Sequence, residues 1–176
     1  MHLFDILNFG VALFVMGNAF GTLPIFMSYT ADASPRVQRI LALLVAFTVF
    51  ICFVVIMLFG EVFLALFSIS IPAFRIAGGL ILLRVGFSML SGELDTGAPI
   101  DEKIAMDSLS PMSEAAMRFS KMLIPVVVPS IVGPGVISLL IVFAHRSTSH
   151  VGIEIELFLA IVVVCVLIGL ILLAGD

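Results

Sequence analysis

Uncharged apolar stretches recur along the chain, and each is closed off by an acid or a base. Ile6 to Ala31 lies between Asp5 and Asp32, Ile40 to Gly60 between Arg39 and Glu61, Met122 to Ala144 between Lys121 and His145, and Leu157 to Gly175 between Glu156 and Asp176. About 20 apolar residues in a helix cover the hydrocarbon core of a bilayer, so each stretch reads as a membrane-crossing helix. A fifth stretch is less clean: Val62 to Phe74 is apolar, and Arg75 and Arg84 then punctuate a segment that ends near Leu90. Because Pro suits a first helical turn, the third helix is expected over Pro72 to Leu90, with Phe67 to Ile71 as a turn or short re-entrant piece before it. The pattern predicts an all-α, polytopic membrane helix bundle with five spans.

Two connections carry helix-start chemistry. Ser34-Pro35 and Ser110-Pro111 each place a capping hydroxyl before a Pro at the first helical position, ahead of spans two and four. Short turns are expected at Glu61 and at His145 to Gly152. The long polar segment, Ser91 to Met117, holds six acids against one Lys, with Gly97, Pro99 and Pro111, and reads as a solvated loop.

Composition agrees with lipid as the outer solvent: 62% of the 176 residues are hydrophobic and 11% charged, far from the quarter or so charged in a soluble domain. Net charge is -4, and there is no basic patch for nucleic acid. Arg36 and Arg39 in the first loop and Lys103, Arg118 and Lys121 in the third, against Arg146 alone in the fourth, predict that loops 32–39 and 91–121 are cytoplasmic and the N-terminus outside. Cys52 and Cys165 sit in apolar runs and read as packing. His2, His145 and His150 show no metal spacing, and no phosphate loop, nucleophile elbow or acid–base–nucleophile set appears, so neither a metal, a cofactor nor an enzymatic activity is expected.

Laid over the first half with a shift of about 110 to 115 residues, the second half puts span four on span one and span five on span two, in opposite orientation. That is an inverted-topology repeat of three-helix units, a plan in which unwound parts of corresponding helices build a solute site. The reading divides the chain into a first membrane repeat (1–90), an acidic loop (91–117) and a second, incomplete repeat (118–176). The same shift puts a partner for Pro72 to Leu90 at roughly 184 to 204, beyond Asp176, so a truncated or partial chain is expected.

Both repeats interrupt their first helix. Span one contains Gly17, Asn18, Gly21, Thr22 and Pro24; span four contains Pro125, Pro129, Ser130, Gly133, Pro134, Gly135 and Ser138. Proline removes a backbone donor and glycine tolerates an unwound turn, which frees backbone groups that lipid cannot satisfy. The candidate substrate-binding residues are therefore Asn18, Gly21, Thr22 and Pro24 facing Ser130, Gly133, Pro134 and Gly135. Kinking and close helix packing are the bland alternative. Arg75, a base within a span, joins the set as a carboxylate attractor, with pairing to Glu61 or snorkelling as its ordinary role.

These residues carry a family resemblance. Asn18-Ala19-Phe20-Gly21-Thr22-Leu23-Pro24-Ile25-Phe26 resembles the first-helix motif Asn-Pro-x-Gly-x-x-Pro-x-Phe of the MarC family, Phe74 to Leu80 is similar to its third-helix signature, and Pro125, Pro129 and Gly133-Pro134-Gly135 to its fourth. Ala19 stands where that motif has Pro, and Arg84 where an apolar residue is expected. The resemblance implies a six-helix plasma-membrane protein of bacteria or archaea, some members of which move small neutral amino acids such as alanine or glycine. A secondary transporter working by alternating access is the expected function, and a non-transporting structural or regulatory membrane subunit the alternative. The partners expected are the lipid bilayer and a small-molecule solute, with a homo-oligomer left open.

Overall fold

A computed structural model describes residues 3–90, 110–123, 127, 131–147 and 151–174. Among them are seven helices, here numbered in chain order, and no strand: α1 (Leu3–Met16), α2 (Ala19–Thr30), α3 (Pro35–Leu66), α4 (Ile71–Leu90), α5 (Pro111–Met122), α6 (Pro134–Ser147) and α7 (Val151–Ala174). The chain is an all-α membrane helix bundle. Three stretches among the described residues are long and apolar enough to cross a bilayer: Phe4–Thr30, Pro35–Leu66 and Ile155–Ala174. Only 28% to 39% of each apolar window is buried within the chain, so most of its apolar surface is left for lipid.

The core is built on α3 and α7. Val37, Leu41, Val45, Val49 and Phe53 recur every four residues on α3 and are fully buried, facing inward with Leu157, Ile161, Val164, Ile168 and Leu172 of α7. Gly169 lets these helices approach closely, since a Cβ there would lie 3.2 Å from the Cβ of Ala46, and Phe50 meets Phe158 edge-on at 5.8 Å. The opposite face of α3, with Leu43, Phe47, Leu58, Phe59 and Val62, is exposed. α1 packs chiefly on α7, α5 on α3, and α6 on both α3 and α4.

The expected helix starts are present. The Ser34 hydroxyl accepts from the Val37 amide and the Ser110 hydroxyl from the Ser113 amide at 3.3 Å, each with Pro in the first turn. Three boundaries differ from expectation. No turn occurs at Glu61: α3 runs through it to Leu66, because Gly60 alone does not end a helix and Val62 to Leu66 continue its apolar face. The helix stops where Ser68 adopts φ 54, with the Ser68 amide on the Ala65 carbonyl and the Ile69 amide on the Leu64 carbonyl, a Schellman cap. Gly60 serves packing instead, since a Cβ there would lie 2.6 Å from Cγ1 of Ile141 on α6.

The polar loop closes at Ser110 rather than Met117, because the Ser-Pro cap already starts α5 there, and residues 91–109 lie outside the described residues. The turn placed at His145 to Gly152 is shorter than expected, for α6 runs to Ser147 and α7 starts at Val151. α4 covers the third expected span, starting at Ile71 after Ser70, whose hydroxyl accepts from the Ala73 amide at 3.4 Å.

Candidate solute site at two helix breaks

Span one is broken at a single residue. The Gly17 amide still donates to Leu13 as in an α-helix, but the Asn18 amide bonds three residues back, to Val15, and Asn18 itself takes φ 44, ψ 42. Among L-residues Asn tolerates this left-handed conformation best, which is why the turn falls on Asn18. Its carbonyl accepts from the Thr22 amide and so opens α2. Ala19 is then the first helical residue, the position Pro favours. The break persists with Ala there because the αL residue, and not a proline ring, makes it.

Gly21 accommodates the Asn18 side chain. A Cβ on Gly21 would sit 2.5 Å from both Nδ2 and Oδ1 of Asn18, so the amide lies across the glycine, on an exposed part of the chain. Thr22 is fully buried and its hydroxyl donates to the Ala19 carbonyl at 2.9 Å, a bond within its own helix. Pro24 sits inside α2 without ending it and is exposed. Lacking an N–H, it leaves the Phe20 carbonyl without its helical donor.

The second break lies before α6. The Val132 amide donates five residues back to Val127 at 2.8 Å, a widened turn, and the Gly133 carbonyl then accepts from Ile137 to start the new helix at Pro134. Gly133 is buried, and Pro134 and Gly135 are half-buried. Ser138, in the second turn of α6, is buried and its hydroxyl has no hydrogen-bond partner among the described residues. Ser130, Pro125 and Pro129 lie outside the described residues, as does the Arg75 side chain, although the Arg75 backbone belongs to α4.

The breaks fall at corresponding places. Asn18 to Gly133 is a step of 115 residues, as is Ala19 to Pro134, while Pro35 to Val151, the starts of α3 and α7, is a step of 116. Two contacts bracket them. Phe9, before the first break, meets Phe143, after the second, with ring centroids 4.9 Å apart. Tyr29, after the first break, accepts at its carbonyl from Nη1 of Arg118, before the second, at 3.0 Å. Spans one and four therefore run antiparallel, as an inverted pair requires, and each break lies between the same two contacts.

Arg118 is the residue that sequence reading missed. Counted there as a loop base, it is buried on α5, with Nε on Oε1 of Glu114 at 2.9 Å. The neighbouring Thr30 carbonyl accepts from Nε2 of Gln38 at 3.0 Å. The end of α2 lacks a glycine cap; Arg118 supplies a donor to the Tyr29 carbonyl, and Gln38 adds a second to the Thr30 carbonyl, which also accepts from the Ala33 amide at 2.9 Å. Glu114 four residues before Arg118 on a helix start was the available signal.

Two apolar cavities lie beside the bundle, the first reaching Ile137 in the first turn after the second break. One of about 290 Å³ is lined by Ile56, Gly60, Leu64, Phe74, Ile137 and Ile141, and a more open groove of about 390 Å³ runs between α3 and α7 past Ala46, Cys165 and Gly169.

Comparison with known proteins decides the family. The profile of the MarC family of integral membrane proteins matches residues 3–176. The chain belongs to the MarC family. It is 32% identical over 149 residues to a UPF0056 membrane protein of Pyrococcus horikoshii, covering 85% of this chain and 67% of the relative. It is 33% identical over 139 residues to the UPF0056 membrane protein YhcE of Escherichia coli, covering 79% and 61%, and 29% identical over 155 residues to the UPF0056 inner membrane protein MarC of Citrobacter koseri, covering 88% and 67%. The chain thus spans about two thirds of the length of these relatives. They come from bacteria and archaea and are membrane proteins, as this chain is. No solved structure matches it.

Proposed function

We propose that this protein is a secondary transporter of small neutral amino acids or similar small solutes, and not an enzyme, working by alternating access at the two helix breaks. The observation that carries the reading is that the breaks at Asn18 and Gly133 are both bracketed by the Phe9–Phe143 and Tyr29–Arg118 contacts. Broken helices offer complementary charge: the amino-terminal turn of α6 exposes amides that favour a carboxylate, and the carbonyl ends, with the Phe20 carbonyl freed by Pro24, favour an ammonium. The unpartnered hydroxyl of Ser138 offers one more polar group, since a buried hydroxyl without a partner is costly unless a ligand or water satisfies it. Orientation follows the basic residues, with the N-terminus outside and the segments before Pro35 and Pro111 in the cytoplasm of the cell.

The reading is tested by counterflow of labelled alanine into proteoliposomes holding the protein. Uptake that saturates and is competed by other small neutral amino acids is expected; counterflow no faster than in empty vesicles across that set would sink the proposal.

One observation favours a second reading, a structural or regulatory subunit. Phe20, Pro24 and Met27 form an exposed face on α2, at spacings of four and three, that a partner helix would cover. A stoichiometric membrane partner crosslinked at Met27, together with absent counterflow, would decide for it.

A further inference from the structure

We infer that Arg118 is a re-usable latch at one end of the solute pathway, holding α2 against α5 when that end is closed and releasing α2 while keeping its own charge paired. The inference rests on the transport reading, but its test does not need a solute.

The geometry gives the guanidinium two separate jobs. Nε donates to Glu114 of its own helix, and Nη1 donates across to the Tyr29 carbonyl, 89 residues away in the chain. When α2 moves off, only the second bond is lost. Glu114 travels with Arg118 on α5, so a charge in a poorly hydrated place is never left unpaired, which would otherwise make the open state prohibitive. A lone Arg on α5 could close the contact, but opening it would strand the charge.

α2 is built to move. It pivots at the single αL residue Asn18 and is joined to α3 by residues 31–34. It touches α5 at few positions and rests mainly on α7, whereas α5 is seated mainly on α3, with Ala115 and Met122 buried. Successive carbonyls point about 100° apart around a helix. Arg118 therefore holds one side of the last turn of α2 at Tyr29, and Gln38 holds another at Thr30 from beside the pivot link. A roll of α2 breaks the first and keeps the second. The opposite end of the same two spans is held by the Phe9–Phe143 ring contact, which carries no charge and involves neither Arg118 nor Glu114.

Two reporter thiols test this in protein whose Cys52 and Cys165 are replaced by Ala. Met122→Cys places a thiol on the fully buried face of α5 one turn from Arg118, and Leu140→Cys a fully buried thiol on α6 near Phe143. Each is followed with a membrane-impermeant methanethiosulfonate reagent in vesicles. Arg118→Lys retains the charge beside Glu114 but lacks the planar fork that serves two directions at once. It is expected to speed labelling at 122 roughly tenfold, the scale of one charge-assisted hydrogen bond, and to leave 140 unchanged. Glu114→Gln is expected to slow labelling at 122, because the unlatched state then strands the guanidinium. Equal acceleration at both thiols, no change at 122, or acceleration by Glu114→Gln would each overturn the latch. Absent alanine counterflow with this labelling pattern intact would instead overturn the transport reading alone.

Discussion

Arg118 on α5 donates to the backbone carbonyl of Tyr29 on α2 at 3.0 Å, and so ties the first half of span four to the second half of span one. Because the acceptor is main chain, no substitution of Tyr29 removes the bond, and the energetic test falls on Arg118. Arg118→Ala deletes both charge-assisted bonds of the guanidinium, leaving the Tyr29 carbonyl without its donor and Glu114 without its partner. A loss of about 2 kcal/mol is expected, read as a lower melting temperature in detergent than for Arg118→Lys, which keeps the pair with Glu114. Equal melting temperatures for the two variants would contradict the geometry.

Gly21 is expected to resist even the smallest substitution. A Cβ there collides with the Asn18 amide, which must swing away from a residue already held in the left-handed region. Gly21→Ala should destabilise by about 1 to 2 kcal/mol, the scale of a forced local repacking. Asn18→Gly keeps the backbone turn and removes the obstacle, so the double variant should recover most of that loss. A double variant no more stable than Gly21→Ala would show that the two residues do not interact as described.

Ser138 separates binding from stability. Its buried hydroxyl makes no hydrogen bond among the described residues, so Ser138→Ala should leave the melting temperature of the solute-free protein unchanged or slightly raised. If the hydroxyl serves a solute, the same variant should raise the concentration of alanine needed for half-maximal counterflow several-fold. A clear drop in melting temperature with unchanged counterflow would give Ser138 a structural role instead.

Much of this fold was legible in the sequence because it rests on local chemistry. Ser34-Pro35 and Ser110-Pro111 each start a helix with their own hydroxyl and ring, and Gly17, Gly21 and Pro24 mark an interruption inside an apolar run, although that the turn falls on a left-handed Asn18 is visible only in the structure. The break itself needed no proline, which is why Ala19 does not abolish it. Glu61 misled because an acid at the end of an apolar run resembles a membrane boundary, while nothing in its own neighbourhood ends a helix; the stop comes at Ser68. Arg118 was hidden for a different reason. Its neighbours in sequence are those of a polar loop, and its burial depends on a carbonyl 89 residues away. The Thr22 hydroxyl is spent within its helix and the Asn18 side chain lies over Gly21, in line with the expectation that the freed backbone at the break, more than those side chains, is what offers itself to a solute.

That two interrupted helices form one water-filled solute site is tested most directly by substrate protection of thiols on either side of it. With Cys52 and Cys165 replaced by Ala, Thr22→Cys on α2 and Gly135→Cys on α6 are labelled separately by a membrane-impermeant reagent, with and without saturating alanine. Thr22 is fully buried in this structure, so its thiol should react only as the site opens; both thiols should react on that basis, and alanine should slow both. Reaction of neither thiol, or reaction that alanine leaves unchanged at both, would contradict a shared site at the two breaks.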